Sequence, residues 1–171
     1  MSILNITYQD FLNPLIFIPT NKLTEADLQV FIDEWENEYL EEMLGCDLFA
    51  LFAADLVAGV PQTQIYIDIY EKFCYDESIC GLKNKSEGMV KMIQKFVYWK
   101  YMRESKVKAT NTGYVVNENE VSRIADFSES RLYEIYNQAI KSYLAVQIYI
   151  CEKLSDYPTY NGAIKEKTSW L

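Results

Sequence analysis

The side chains that could perform chemistry in this chain are carboxylates, lysines, hydroxyls and four cysteines, because its 171 residues include no histidine. A mixed cysteine–histidine zinc site is therefore excluded, and no CxxC pair supports an all-cysteine site. The cysteines, which we expect to be free thiols in a reducing compartment, are Cys46, Cys74, Cys80 and Cys151. The sequence also lacks a glycine-rich phosphate loop and a GxSxG motif. We therefore expect no catalytic site, no cofactor and no metal.

The carboxylates are concentrated in the first half of the chain, where residues 23–71 contain twelve acids and no base. Apolar residues recur there at the three- and four-residue steps of an amphipathic helix, at Leu28, Phe31, Ile32, Trp35, Tyr39 and Met43. The rest of the circumference carries Asp33, Glu34, Glu36, Glu38 and Glu41. A paired-carboxylate catalytic site requires inward-facing acids with divergent pKa values. We expect none of these acids to face inward.

The basic residues are concentrated in the middle of the chain, where residues 83–108 contain eight bases against Glu87 and Glu104. Two oppositely charged surfaces on one small domain could bind each other head to tail between copies. The candidate interface residues are Glu34, Glu38 and Glu41 on one surface and Lys91, Lys95 and Lys100 on the other. The alternative is that each surface is simply a solvated helix face.

Two lysines of this basic segment have specific predicted partners. Glu87 and Lys91 have the i,i+4 spacing of a helical ion pair. Lys100 falls on the apolar arc of its helix, so it either extends its amine past the helix end or forms a buried ion pair within or between subunits. Interleaved aromatic and basic residues could suggest nucleic-acid binding, but helical spacing explains the aromatics as core and the net charge of −9 opposes a dedicated binder.

The elements that must position these residues form an all-α fold, a helical bundle of about five helices. The predicted helices cover residues 24–44, 48–57, 62–74, 86–103 and 128–154, with 76–85 as a connection pivoting at Gly81. The short second helix is apolar nearly all round, which predicts burial on most sides. Between the last two helices, residues 105–126 form a long projecting loop or a β-hairpin around Asn111-Thr112-Gly113. Its candidate interface residues are Thr112, Gly113, Tyr114, Val115 and Val116.

Both ends of the chain are predicted to be extended, outside a helical connector domain at 23–154. Pro14 and Pro19 interrupt an apolar arm at 1–22, which must cover its own core or a neighbour's. The tail at 155–171 contains Trp170, a further interface candidate. No apolar stretch approaches the length of a membrane span, and the start of the chain lacks the features of a secretory signal. We therefore expect no membrane partner.

Short motifs spread over most of the chain carry a resemblance to a known family. They are Pro19-Thr20-Asn21-Lys22-Leu23 with Asp27-Leu28-Gln29, Glu38-Tyr39-Leu40 through Leu44-Gly45, Asp55-Leu56-Val57-Ala58-Gly59-Val60-Pro61-Gln62, Ser86-Glu87-Gly88-Met89, Phe96-Val97-Tyr98 with Tyr101-Met102-Arg103, Asn111-Thr112-Gly113 with Asn117-Glu118-Asn119, Tyr136-Asn137 and Tyr157-Pro158. In these the chain resembles the small helical connector (adaptor or neck) proteins of tailed bacteriophages, the crAss-like phages of gut Bacteroidales in particular.

The resemblance implies a structural virion protein rather than an enzyme. It implies a homo-oligomeric ring, expected to be dodecameric, that lies in the virion neck beneath the portal, contacts other neck or tail proteins and leaves a channel for the transient passage of DNA. Such a ring would be assembled in the host cytoplasm. The alternatives are another virion component, such as a tail-completion or capsid-associated protein, and a cytoplasmic helical regulatory module or small enzyme.

Overall fold

The computed structural model describes residues 2–13, 16–18, 22–76, 83–104, 107–110, 113–116 and 122–163. Within these ranges it contains five α-helices and three antiparallel strand pairs. The helices are α1 (Lys22–Leu44), α2 (Cys46–Asp55), α3 (Gln64–Tyr70), α4 (Met89–Glu104) and α5 (Ser122–Glu152). The paired strands are β1 (Leu56–Val57) with β2 (Val60–Pro61), β3 (Phe73–Asp76) with β4 (Lys83–Ser86), and β5 (Val107–Thr110) with β6 (Gly113–Val116). The predicted helical bundle, with a hairpin between its last two helices, is confirmed.

Several predicted boundaries were wrong, and backbone pairing explains most of the differences. The predicted helix at 62–74 is only seven residues long, because Phe73 and Cys74 pair with Ser86 and Lys85 in the β3–β4 ladder. Residues 76 and 83–85 of the predicted connection belong to that ladder, while Gly81 lies outside the described residues. The second helix ends at Asp55, earlier than predicted. The chain then turns at Ala58 and Gly59, which have positive φ angles of 52° and 81°. Helix α5 begins earlier than predicted and its 31 residues span about 46 Å.

The core is built around α4, which packs against α5 on one side and α1 on the other. Its fully buried Phe96 stacks on Tyr39 of α1, with ring centroids 4.4 Å apart, and meets Tyr136 and Tyr143 of α5 edge to face. An apolar stripe of α5 is buried along the described length of the helix, from Leu132 to Ile150. Because offset and edge-to-face aromatic pairs favour one geometry, these rings fix how the three helices pack.

The N-terminal arm lies against the core of its own chain. A short 3-10 helix covers Tyr8–Leu12, and the arm buries Leu4, Ile6, Phe11, Ile16 and Ile18. Its backbone also crosses the β1–β2 turn so closely that a Cβ on Gly59 would lie 2.7 Å from the carbonyl carbon of Leu4. The described arm is therefore packed into the helical body.

The described part of the tail also returns to the body. Tyr157 is buried, and its hydroxyl donates a hydrogen bond to the carbonyl oxygen of Ile65 at 2.5 Å. The backbone N–H of Ala163 donates to the carbonyl of Glu42 at 2.7 Å, at the last turn of α1. A helix leaves its last carbonyls without intrahelical partners, so the tail satisfies one of them.

Asp55, at the junction between α2 and α3, should make the stability of the folded protein depend on pH. Its carboxylate accepts hydrogen bonds from the backbone N–H groups of Gln62 and Thr63 at 2.7 and 2.8 Å, and from the Thr63 hydroxyl at 2.5 Å. The hydrogen bond from the Thr63 side chain and, to a smaller extent, those from these backbone groups lower the pKa of Asp55 below its usual 3.8. Since the folded-state pKa is depressed, the stabilisation is present above 3.8 and is lost as the pH falls through the folded-state value. Urea unfolding across this pH range should show a stability difference between wild type and Asp55→Asn that disappears in acid; a pH-independent difference would contradict this assignment.

Candidate protein–protein interface

The predicted acidic surface is a stripe along α1. Glu34, Glu38 and Glu41 are all exposed, as is Asp27, which lies about two turns nearer the N-terminus on the same face. Their three- and four-residue spacing places them on a single face of the helix. The described side chains of this helix, 25–44, include no base, so no lysine or arginine of α1 itself interrupts the stripe there.

Two of these carboxylates line a cleft at the C-terminal end of α1. Glu38 and Glu41 border a volume of about 350 Å³ together with Gly45, Cys46 and Ala163. The thiol of Cys46 donates a hydrogen bond to Glu41 Oε1 at 3.1 Å, and this bond and the charge of Glu41 raise the pKa of Cys46. A thiol of raised pKa is a poor nucleophile at neutral pH, so the cleft offers surface and charge rather than covalent chemistry.

The predicted basic residues of α4 differ in their availability. Lys91 is exposed. Lys95 is bound within the chain, because its amine lies 2.6 Å from Glu87 Oε2 and 2.9 Å from Gln138 Oε1. The prediction that Glu87 pairs with Lys91 was therefore wrong. Glu87 precedes α4, where it hydrogen-bonds through its backbone N–H to Ser142, and its side chain reaches Lys95 instead.

Lys100 combines parts of its two predicted arrangements, an amine that reaches solvent and an ion pair. Its amine lies 2.8 Å from Glu104 Oε1 and 3.9 Å from the centroid of the Trp35 ring, and its side chain is a quarter exposed. The cation thus lies over an aromatic face at the junction of α1 and α4 while keeping contact with solvent. Lys100 joins two helices of one copy.

The exposed basic surface extends beyond α4. Lys85 on β4 and Lys141 on α5 are exposed like Lys91, and α5 packs along both β4 and α4. Lys95 is bound to Gln138, one turn before Lys141 on the outer face of α5. The elements β4, α4 and α5 therefore carry exposed bases, together with the exposed acids Glu104, Glu134 and Glu152, whereas the described side chains of α1 include acids and no base.

The remaining predicted interface residues belong to the hairpin and the tail. Gly113, Tyr114, Val115 and Val116 form strand β6, which pairs with β5 in the register Val107↔Val116 and Thr110↔Gly113. Thr112 and Trp170 lie outside the described residues. The predicted hairpin is confirmed, while its use as an interface stays a prediction.

Glu36 contradicts the expectation that every acid of α1 faces outward. Its side chain is fully buried and accepts the backbone N–H groups of Ile3 at 3.1 Å and Leu4 at 2.8 Å. Burial raises the pKa of Glu36, although hydrogen bonds from Ser2, Leu4 and Ile3 act in the opposite direction. A useful signal was present in the sequence, because Glu36 lies four residues from both Ile32 and Leu40 and so shares their buried row.

Helix α2 contradicts the expectation of burial on most sides. Leu48 and Phe52 are buried, but Ala50, Leu51 and Ala54 are exposed. Helix α2 therefore presents a solvent-facing apolar surface.

Within the described ranges, no group of three or more His, Cys, Asp or Glu side chains is arranged to hold a metal ion. Cys46, Cys74 and Cys151 are free thiols, as predicted for these three, and all three are exposed. In the same described part of the chain, no helix combines the length and the apolar character needed to cross a membrane.

Comparisons with protein-family models, with curated proteins and with solved structures found no match to this chain.

Proposed function

We propose that this chain is a structural subunit of the neck of a tailed phage, where copies form a ring that joins the portal to the tail. The observation that carries the proposal is the pair of exposed, oppositely charged surfaces on one helical body. One consists of Glu34, Glu38 and Glu41 on α1, and the other includes Lys91 on α4 and Lys141 on α5.

A ring built from identical subunits needs two different surfaces that complement each other, because each copy binds its neighbour head to tail. Opposite charges on these surfaces favour the correct neighbour and disfavour contacts between like surfaces. The aromatic contacts among α1, α4 and α5 hold the two surfaces in a fixed relation, as closing a ring requires.

In this proposal, the ring leaves a channel through which DNA passes, and the hairpin β5–β6 contacts a neighbouring subunit or another neck protein. The resemblance to phage connector proteins supports this role. The portal and other neck or tail proteins are the proposed partners. The chain performs no chemistry of its own.

A charge-exchange experiment tests the head-to-tail arrangement. One variant carries Glu34→Lys with Glu38→Lys, so both of its surfaces are basic, and the other carries Lys91→Glu with Lys141→Glu, so both are acidic. Neither variant should form rings alone, because like charges then face each other, whereas an equimolar mixture should form rings of alternating subunits. Light scattering after gel filtration and electron micrographs of the portal-bound protein measure this outcome.

Wild-type assembly should also weaken as the salt concentration rises, because exposed charges are screened beyond about 10 Å at 0.1 M salt. If each variant alone formed rings as well as the wild type, complementary charge would not be what drives ring assembly. A wild-type protein that stays monomeric with the portal present, or co-purifies only with capsid or tail-end components, would overturn the neck assignment.

A further inference from the structure

A stable contact between ring subunits requires more than exposed charges. One exposed ion pair changes an association constant by at most about fivefold, because water and salt screen it. Stable interfaces instead have an apolar core inside a polar rim and cover about 800 Å² of each partner. An exposed apolar surface beside each of the two charged surfaces would supply such a core.

One exposed apolar surface begins where the acidic stripe of α1 ends. It follows the outer side of α2 and continues into the β1–β2 ladder, where Val57 and Val60 face each other. Leu51, Val57 and Val60 are 49%, 62% and 47% exposed. We call Ala50, Leu51, Ala54, Val57 and Val60 the α2 face. Apolar residues that are exposed together, rather than singly, mark interaction sites.

The surroundings of the α2 face are acidic. Exposed Asp47 lies one turn before Leu51 on the same side of α2. Exposed Glu41 lines a cleft together with the first residue of α2, and Asp55 at the other end of the helix is half-buried. The described side chains of residues 25–71 include no base. The α2 face is therefore an apolar continuation of the acidic surface.

A second exposed apolar pair lies on the N-terminal arm. Leu12 and Phe17 are 46% and 51% exposed. The backbone N–H of Ile18 donates to the carbonyl oxygen of Phe11 at 2.9 Å, which brings the two stretches that carry them together. We call Leu12 and Phe17 the arm patch.

The arm patch lies beside the basic surface. Asn13, next to Leu12, lines a cavity together with Lys91, which is the exposed charged residue among those that line it. The acids Asp10 and Glu87 also line this cavity, but both are half-buried and bonded within their own chain. Two exposed residues of opposite charge follow α3 at the edge of the cavity, Glu71 and Lys72.

We infer that the arm patch of one copy packs against the α2 face of the next copy, and that these two surfaces form the apolar core of the head-to-tail contact. Because each lies beside one of the two charged surfaces, a single contact can pair apolar with apolar residues and bring Lys91 to Asp47 or Glu41 at its rim. This inference rests on the proposed function, since it names the apolar part of the same ring contact.

Photocrosslinking of the full chain assembled with the portal tests the contact. The photoreactive residue p-benzoylphenylalanine replaces Leu51, and the ring is assembled from equal amounts of isotopically labelled and unlabelled copies. After irradiation and trypsin digestion, position 51 should be joined to peptide 1–22 of a different copy, at Leu12 or Phe17, giving a mixed-isotope product. The same replacement at Leu154 is the matched control, because Leu154 is 52% exposed but belongs to neither surface. It should give no such product.

Charge substitutions provide a second measurement. Leu51→Lys and Phe17→Glu should each weaken assembly about tenfold, because each removes apolar area from the contact and places a charge there. A chain that carries both should recover part of the loss, since the two substituted residues then meet between copies as an ion pair. Leu154→Glu should leave assembly unchanged. A doubly substituted chain that assembles no better than either single variant would count against the contact.

The outcomes separate this inference from the function on which it rests. Rings in which position 51 is joined only to its own copy, or to the α2 face of another copy, would overturn the inference and leave the neck proposal in place. A chain that stays monomeric with the portal present would overturn the neck proposal and this inference together.

Discussion

Glu36→Ala is expected to lower the free energy of unfolding by about 3 kcal/mol and to release the N-terminal arm from the helical body. The substitution removes the acceptor of two backbone N–H groups, those of Ile3 and Leu4, and the Leu4 group is buried. A buried donor left without a partner costs about 1–3 kcal/mol. Urea unfolding measures the stability change, and amide hydrogen exchange at Ile3 and Leu4 measures release of the arm.

Glu34→Ala is the matched control, because Glu34 lies two residues away on the same helix but is exposed. Its effect should stay within about 0.5 kcal/mol, as is usual for surface substitutions. Glu36→Gln should retain only part of the wild-type stability, since its amide group keeps one acceptor but turns a donor toward the other N–H. Equal stability of Glu36→Ala and Glu34→Ala would show that the carboxylate does not hold the arm.

The raised pKa of Glu36 fixes the sign of the pH dependence of this effect. Because the folded state binds the proton more tightly than the unfolded state, the proton-linked stabilisation is fully present below the usual value of 4.5 and is lost as the pH rises through the folded-state pKa. The stability difference between wild type and Glu36→Ala should therefore be larger below pH 4.5 than at neutral pH. This trend is opposite to the one expected for Asp55, whose pKa is lowered.

Periodicity predicted the long helices well because packing agrees with it over many turns. Residues such as Ile135, Ala139 and Ile140 recur along α5 with helical spacing, and all are buried. The hairpin was predictable for a different reason, because Asn111-Thr112-Gly113 supplies turn residues between two short segments that pair as β5 and β6. In both cases the information is local in sequence.

The predictions that were wrong depended on contacts distant in sequence. Glu36 faces inward because the arm, more than thirty residues earlier, brings two N–H groups to it. Strand β4 consists of Lys83, Asn84, Lys85 and Ser86 and has no alternation of apolar residues, so only its pairing with β3 identifies it. Composition likewise could not show that one side of α2 is exposed, since an apolar helix at the edge of a bundle and one at its centre have the same sequence pattern.

The candidate interface was predicted in part. Glu34, Glu38 and Glu41 of α1 are exposed as expected, because no other described element covers that stripe. The bases were harder to predict, since Lys95 and Lys100 bind Glu87 and Glu104 within the chain. The spacing of charges along α4 does not reveal that Glu87, which precedes the helix, reaches Lys95. The Lys100–Glu104 pair, in contrast, has the i,i+4 spacing of an ion pair within the helix. The exposed basic surface instead draws on β4 and α5 as well.

Gly162→Ala is expected to lower the free energy of unfolding by about 3 kcal/mol. This effect is opposite in sign to the usual effect of replacing a loop glycine by alanine. Replacing glycine by alanine where no strain results stabilises a protein by about 0.4–1 kcal/mol through the unfolded state. Here a Cβ on Gly162 would lie 2.0 Å from the backbone carbonyl oxygen of Met43, so the tail must move. That movement breaks the hydrogen bonds of Ala163 to Glu42, Tyr143 and Gln147, at about 1 kcal/mol each.

Tyr143→Phe distinguishes the effect of displacing the tail on stability from the effect of losing a single hydrogen bond. It removes only the bond from the Tyr143 hydroxyl to Ala163 and keeps the buried ring, so it should cost about 1 kcal/mol. Urea unfolding of the two variants measures both changes, and protease cleavage after Lys153 should accelerate only in Gly162→Ala. If Gly162→Ala proves neutral or stabilising, the close approach between the tail and the end of α1 does not exist in solution.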